Sequence, residues 1–150
     1  MASRVTVTLH ELVFELDQYA ERYLQAYHGV SFKLFEFVAA IAEVAPVDLT
    51  GLAHCLGVSK AAVSKRVPAL EREGWITTTP GQGRQILLGL TEKGAELVRD
   101  AGGALEAQFA DILADPRLNP AGSPAAIDAA ILNAHLTTLT ALLAEKSPRA

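Results

Sequence analysis

Apolar residues recur every three or four positions near the start of the chain: Leu9, Leu12, Val13, Leu16, Tyr19, Ala20, Tyr23, Leu24 and Tyr27. That spacing predicts one long amphipathic helix, ended at Gly29. Ser31 is placed to cap a second helix running to about Ala45, with Pro46 as its stop. Asp48 is placed to cap a third that Gly57 ends, and Ser59 a fourth that Gly74 ends. Then the pattern changes. Trp75 to Thr79 is rich in strand formers, Pro80-Gly81-Gln82-Gly83 is turn chemistry, and Gln85 to Leu90 reads as the returning strand. Thr91 caps a fifth helix, to about Ala114. Gly102 and Gly103 interrupt it, each at about 1 kcal/mol against alanine, and predict a kink. Asp115 to Pro124 reads as a loop. A last helix to about Ala144 carries Ile127, Ile131, Leu132, Leu136, Leu139 and Leu143 on one stripe, and the tail Ser147 to Ala150 as frayed.

Two short helices, a tight turn between them and a polar-tipped hairpin, in that order, make a winged helix-turn-helix. Its second helix enters the major groove of DNA. The expected fold is mainly α with a small β-hairpin wing, as one domain over residues 1–150. The winged-helix lobe covers about 47–91. The long helices at about 8–28 and 91–146 are foreign to a minimal winged helix. Their apolar seams must pack on each other or on a second subunit.

Composition sharpens this picture in three places. Half of the chain is apolar, which excludes general disorder, yet the longest clean apolar run, Phe37 to Ala42, is far too short to span a bilayer. The first residues carry acids where a signal peptide needs an unbroken apolar block, so a cytoplasmic location is expected. One cysteine, Cys55, excludes an intrachain disulfide. The net charge of −4 is unevenly spread. Residues 57–93 carry six bases and three acids, whereas 1–56 carry three bases and seven acids and 94–150 four and seven. The positive third is the winged helix itself, and phosphate contact depends on the local patch.

LAHCLGVSKAAVSKRV, LEREGWI, the G-x-G-R wing and LTEKG, in this order and spacing, resemble the MarR family of bacterial transcriptional regulators over nearly the whole chain. The resemblance implies a homodimer whose N-terminal and two C-terminal helices intertwine, and whose two winged helices grip a pseudo-palindrome in double-stranded DNA. It also implies release from DNA by a small aromatic acid, an oxidant or a metal. The most frequent role in such families is repression.

Val63, Val67 and Leu70 lie at i, i+4 and i+7 and should seat the fourth helix on the core. Lys60, Ala61, Ser64 and Lys65 then face outward together, beside the cap Ser59. Small residues allow close approach, Ser64 suits a base edge or phosphate, and Lys65 suits guanine or phosphate. Arg66 should reach the DNA backbone from the flank. Taken alone, these residues read equally as an ordinary solvated helix face. Gln82 and Arg84 sit at the wing tip, where an arginine can enter a narrow minor groove. The family usually has an acid one or two residues before this arginine. Here those positions are Gln82 and Gly83. Pro68 removes the bond to the Ser64 carbonyl, at about 3 kcal/mol in a helix interior, and predicts a kinked or shortened recognition helix.

Seven of the nine aromatics lie on the first two helices. By resemblance the effector cleft lies beside these helices, and Tyr23, Tyr27, His28 and Phe32 are its candidate residues. Phe14, Phe35 and Phe37 read as packing. Cys55 reads as a small buried hydrophobe, with oxidant sensing as the alternative. The four histidines are scattered, so no metal site within one subunit and no cofactor is expected. No phosphate-binding loop or catalytic constellation is evident, so an enzyme is not expected. The alternative to a DNA-binding regulator is a winged helix whose wing serves protein contact.

Overall fold

The computed structural model describes residues 4–118 and 127–148. Its compact units are two, divided at Gly103.

The first unit begins with α1 (Val5–His28), ended by Gly29, and α2 (Phe32–Val44). The Ser31 hydroxyl accepts the Leu34 amide at 3.1 Å and so caps α2. Glu21 of α1 adds a second cap, accepting the Phe32 amide at 2.6 Å. That bond, with one from Gln25, holds the Glu21 carboxyl below the ordinary glutamate range. α3 (Leu49–Leu56) and α4 (Lys60–Arg72) follow, capped by Asp48 and Ser59 as their side chains predict. β2 (Ile76–Pro80) and β3 (Ile86–Leu90) form the wing, with Ile76 opposite Leu90 and Pro80 opposite Ile86.

One strand escapes the sequence pattern. Val47 and Asp48 form β1 and pair antiparallel with Leu88 and Leu87, giving a three-stranded sheet in the order β1-β3-β2. Two residues are too few to show a period of two.

The core lies between α2, α3, α4 and the sheet. Phe37, Ile41, Leu52, Val63, Val67, Leu70, Ile76 and Leu88 are buried in one cluster. Each such side chain contributes about 1.5–3 kcal/mol by leaving water. The Val63-Val67-Leu70 stripe therefore seats α4 as its spacing requires. Pro68 does not shorten α4, which continues to Arg72. Its ring faces solvent between the buried Val67 and Leu70, so burial of those neighbours keeps the helix intact across the lost hydrogen bond.

Thr91 opens α5 (Glu92–Leu97), which passes into a π-helical turn at Val98–Gly102 and then α6 (Gly103–Leu113). The predicted irregularity at the two glycines takes the form of this wider turn. LTEKG acts as a clasp. The Thr91 hydroxyl donates to the Gly74 carbonyl at 2.6 Å and accepts the Gly94 amide at 3.0 Å. Lys93 donates to the Glu73 carbonyl at 2.9 Å, with its ammonium 3.9 Å from the Trp75 ring centre. A Cβ on Gly94 would collide with the Trp75 carbonyl oxygen, so only glycine fits there.

In the second unit, Pro116–Leu118 form a 3₁₀ turn within the predicted loop, whose residues 119–124 lie outside the described residues. α7 (Ala129–Lys146) is capped by Asp128 and carries no buried residue. Ile131, Leu136, Leu139, Leu142 and Leu143 are exposed along it, and Ile127 precedes it. α1 likewise exposes Leu9, Leu12, Val13, Phe14 and Leu16. Among the described residues no helix is long and apolar enough to cross a membrane.

Candidate nucleic-acid interface

The outward face of α4 carries the expected residues. Ser59, Lys60, Ala61, Ser64 and Lys65 are all exposed, and none packs into the core. Ser59 is already engaged, its hydroxyl accepting the Ala62 amide at 3.1 Å. Arg66 is placed differently from its neighbours. Its guanidinium turns back onto α2, donating to the Lys33 carbonyl at 3.2 Å and stacking 4.7 Å from the centre of the Phe37 ring. This long side chain spends its charge tying α4 to α2. It also borders a groove of about 590 Å³ between Ser31, Lys33, Phe37, Val58 and Val63.

At the wing, Gly81 and Gln85 close the hairpin, the Gly81 amide donating to the Gln85 carbonyl at 2.8 Å. The Gln85 amide donates to the Gln82 carbonyl at 3.0 Å, which leaves Gly83 and Arg84 in the centre of a four-residue turn. Gly83 has φ of 60°, a left-handed conformation that side chains resist. Gln82 and Arg84 are exposed. With Lys60, Asp48, Thr50 and Gln85 they border a groove of about 460 Å³. Lys60 from the recognition helix and Arg84 from the wing thus flank one concave surface.

Sequence reasoning missed Gln85. Its side-chain oxygen accepts the Gln82 amide at 3.3 Å, and its side-chain nitrogen donates to Asp48 Oδ2 at 3.1 Å. Asp48 uses its other oxygen, Oδ1, to cap α3 through the Gly51 amide at 2.7 Å. The signal was weak: a glutamine after a turn is ordinary loop chemistry until the 37-residue separation from Asp48 is closed.

The Gly51 amide, the Gln85 amide and the Lys60 charge together hold the Asp48 carboxyl below the ordinary aspartate range. A depressed folded pKa contributes stability above the unfolded value, and that contribution is lost as pH falls through the folded one. The expected result is an Asp48 side-chain ¹³C titration with its midpoint below about 3.9. Gln85→Ala should move that midpoint upward.

The aromatic candidates separate. The Tyr23 ring lies 4.9 Å from that of Tyr27 and 5.7 Å from that of His28. Tyr19, Arg22, Tyr23 and Tyr27 line a shallow groove of about 210 Å³, and Phe32 is not among its walls. Phe37 is buried core, whereas Phe14 is exposed. Cys55 is exposed, so its reading as a buried hydrophobe is corrected. It lies one turn after the buried Leu52 on α3, on the exposed flank beside His54. Among the described residues no group of three histidine, cysteine or acidic side chains converges to hold a metal.

No family model matches the sequence, and no curated protein is similar to it. Solved structures are similar to it along nearly their whole length. FabT of Streptococcus pneumoniae, solved in complex with DNA, shares 20% identity at a TM-score of 0.69, covering 96% of this chain and 98% of its own. The transcriptional regulator BldR from Sulfolobus solfataricus shares 18% at 0.72, covering 92% and 93%. A MarR/EmrR family transcriptional regulator from Acinetobacter sp. ADP1 shares 19% at 0.70, covering 94% and 93%. The chain is a winged helix-turn-helix protein. Its helical arms and wing follow the MarR-like version of that fold.

Proposed function

We propose that the chain is a sequence-specific DNA-binding transcriptional regulator, acting as a homodimer and releasing DNA on binding a small aromatic acid. The observation that carries this reading is the concave surface shared by Lys60 on α4 and Arg84 on the wing. α4 offers Ser64 and Lys65 to base edges and phosphates in the major groove, and Arg84 suits the adjacent minor groove. Only the local patch is basic, which suits a protein that meets DNA with one face. Arg66, expected to reach the DNA backbone from the flank, also braces α4 against α2 through Lys33 and Phe37.

The homodimer reading rests on the exposed apolar rows of α1 and α7, which a second copy would cover. Two recognition helices about 34–36 Å apart would meet successive major grooves. A protein of similar fold has been solved in complex with DNA, which supports the DNA-binding reading. The tyrosine groove beside Arg22 offers stacking walls and a cation to a planar carboxylate. A non-enzymatic role accords with the regulators of the same fold.

The test is fluorescence anisotropy with duplex DNA from upstream of the chain's own gene, across a salt series, against random duplex. Tight, salt-sensitive binding that prefers the upstream duplex is expected. Weak binding without preference would favour a protein-interaction wing. Aromatic acids that neither shift the melting temperature nor release the duplex would remove the effector.

A further inference from the structure

We propose that Gln85 is the positioning residue of the wing: its side-chain amide ties the Arg84 turn to the first turn of α3 through Asp48. The proposal rests on the DNA-binding reading above.

A wing arginine on a free hairpin tip samples many orientations, and ordering it on binding costs conformational entropy. In this chain no acid precedes Arg84 to orient it; Gln82 and Gly83 stand there. The arrangement supplies a different support. Gln85 holds Gln82 twice, donating its backbone N–H to the Gln82 carbonyl and accepting the Gln82 N–H on its side-chain oxygen. Gly83 and Arg84 lie between those two bonds. The side-chain nitrogen of Gln85 then reaches Asp48, itself fixed by the cap to Gly51 and by the β1 pairing to Leu87. Lys60, the first residue of the recognition helix, lies in the field of the same carboxylate. One glutamine therefore references the wing turn to the element that precedes the recognition helix.

Gly81 fits this role independently. A Cβ there would lie 2.6 Å from the Gln85 side-chain oxygen and 3.1 Å from its Cβ, so the turn is built around that side chain. The donor and acceptor pattern also has one sense. The Asp48 carboxylate only accepts, so the Gln85 nitrogen must face it, which leaves the oxygen for the Gln82 N–H.

Reciprocal exchange tests the strut. Gln85→Glu places a carboxylate against Asp48 and removes the donor. Asp48→Asn keeps the cap to Gly51 but turns an amide donor toward the Gln85 nitrogen. The double variant restores a single donor–acceptor pair with its sense reversed, and the net charge of the wild type. Two readouts are taken on all four proteins: backbone ¹⁵N relaxation of Gln82 to Arg84, and the Kd for the upstream duplex. Each single substitution is expected to raise fast motion in the turn and weaken binding about three- to tenfold, with both effects largely reversed in the double variant. Unchanged relaxation in both single variants would overturn the strut. Strictly additive effects on Kd would overturn its role in presenting Arg84, since a bare charge effect is additive. A wild-type chain that fails to bind any duplex would overturn the DNA-binding reading instead, while the relaxation data would still decide the strut.

Discussion

Arg84→Ala is expected to weaken binding to the upstream duplex at least tenfold, about 1.4 kcal/mol. Arg84 is exposed at the centre of the wing turn and shares a concave surface with Lys60. Its guanidinium presents donors in a planar fork suited to phosphate or to a narrow groove. In the proposed homodimer the loss occurs twice. Removing one phosphate contact per subunit should also lower the slope of log K against log salt by about one per contact. Anisotropy across a salt series reads both quantities. An unchanged affinity and slope would remove Arg84 from the interface. Gln82→Ala, which deletes a neutral side chain from the same turn, should leave the slope unchanged.

Gly94→Ala is expected to destabilise the fold by about 2 kcal/mol, lowering Tm by roughly 4–8 °C. The added Cβ would collide with the Trp75 carbonyl oxygen, a backbone atom that cannot rotate away. Relief requires a shift of the turn where α4 gives way to β2, which Thr91 and Lys93 hold by hydrogen bonds to the Gly74, Trp75 and Glu73 carbonyls. The usual helix gain from alanine, about 1 kcal/mol, works in the opposite direction and is already included. Gly103→Ala is the internal contrast. A Cβ there meets nothing within 4 Å, so that variant should be neutral or more stable. Thermal unfolding of the two variants should therefore give opposite signs. A Tm of Gly94→Ala equal to that of the unaltered chain would show that the clasp yields freely.

The regulator reading and the stability of its parts meet at α4. The same helix that offers Lys60, Ser64 and Lys65 outward buries Val63, Val67 and Leu70 inward. Arg66 adds a brace from its flank, and the Thr91-Lys93 clasp fixes its exit.

Much of this architecture was legible in the chain because it is written in local rules. Ser31, Asp48, Ser59 and Thr91 cap helices through bonds spanning three residues. The hydrophobic period marks α1 and α4, a cap and a proline stop mark α2, and a polar, glycine-rich turn marks the wing. Those interactions close within a few residues, so residue type and spacing suffice to anticipate them. The tertiary structure alone decided what depends on distant partners. The β1 pairing to β3, the turning of Arg66 onto Phe37, the exposure of Cys55 and the Gln85 bond to Asp48 join residues that no periodicity links. Pro68 shows the same division: the sequence states the cost of the missing hydrogen bond, but only burial of Val67 and Leu70 decides that α4 continues through it.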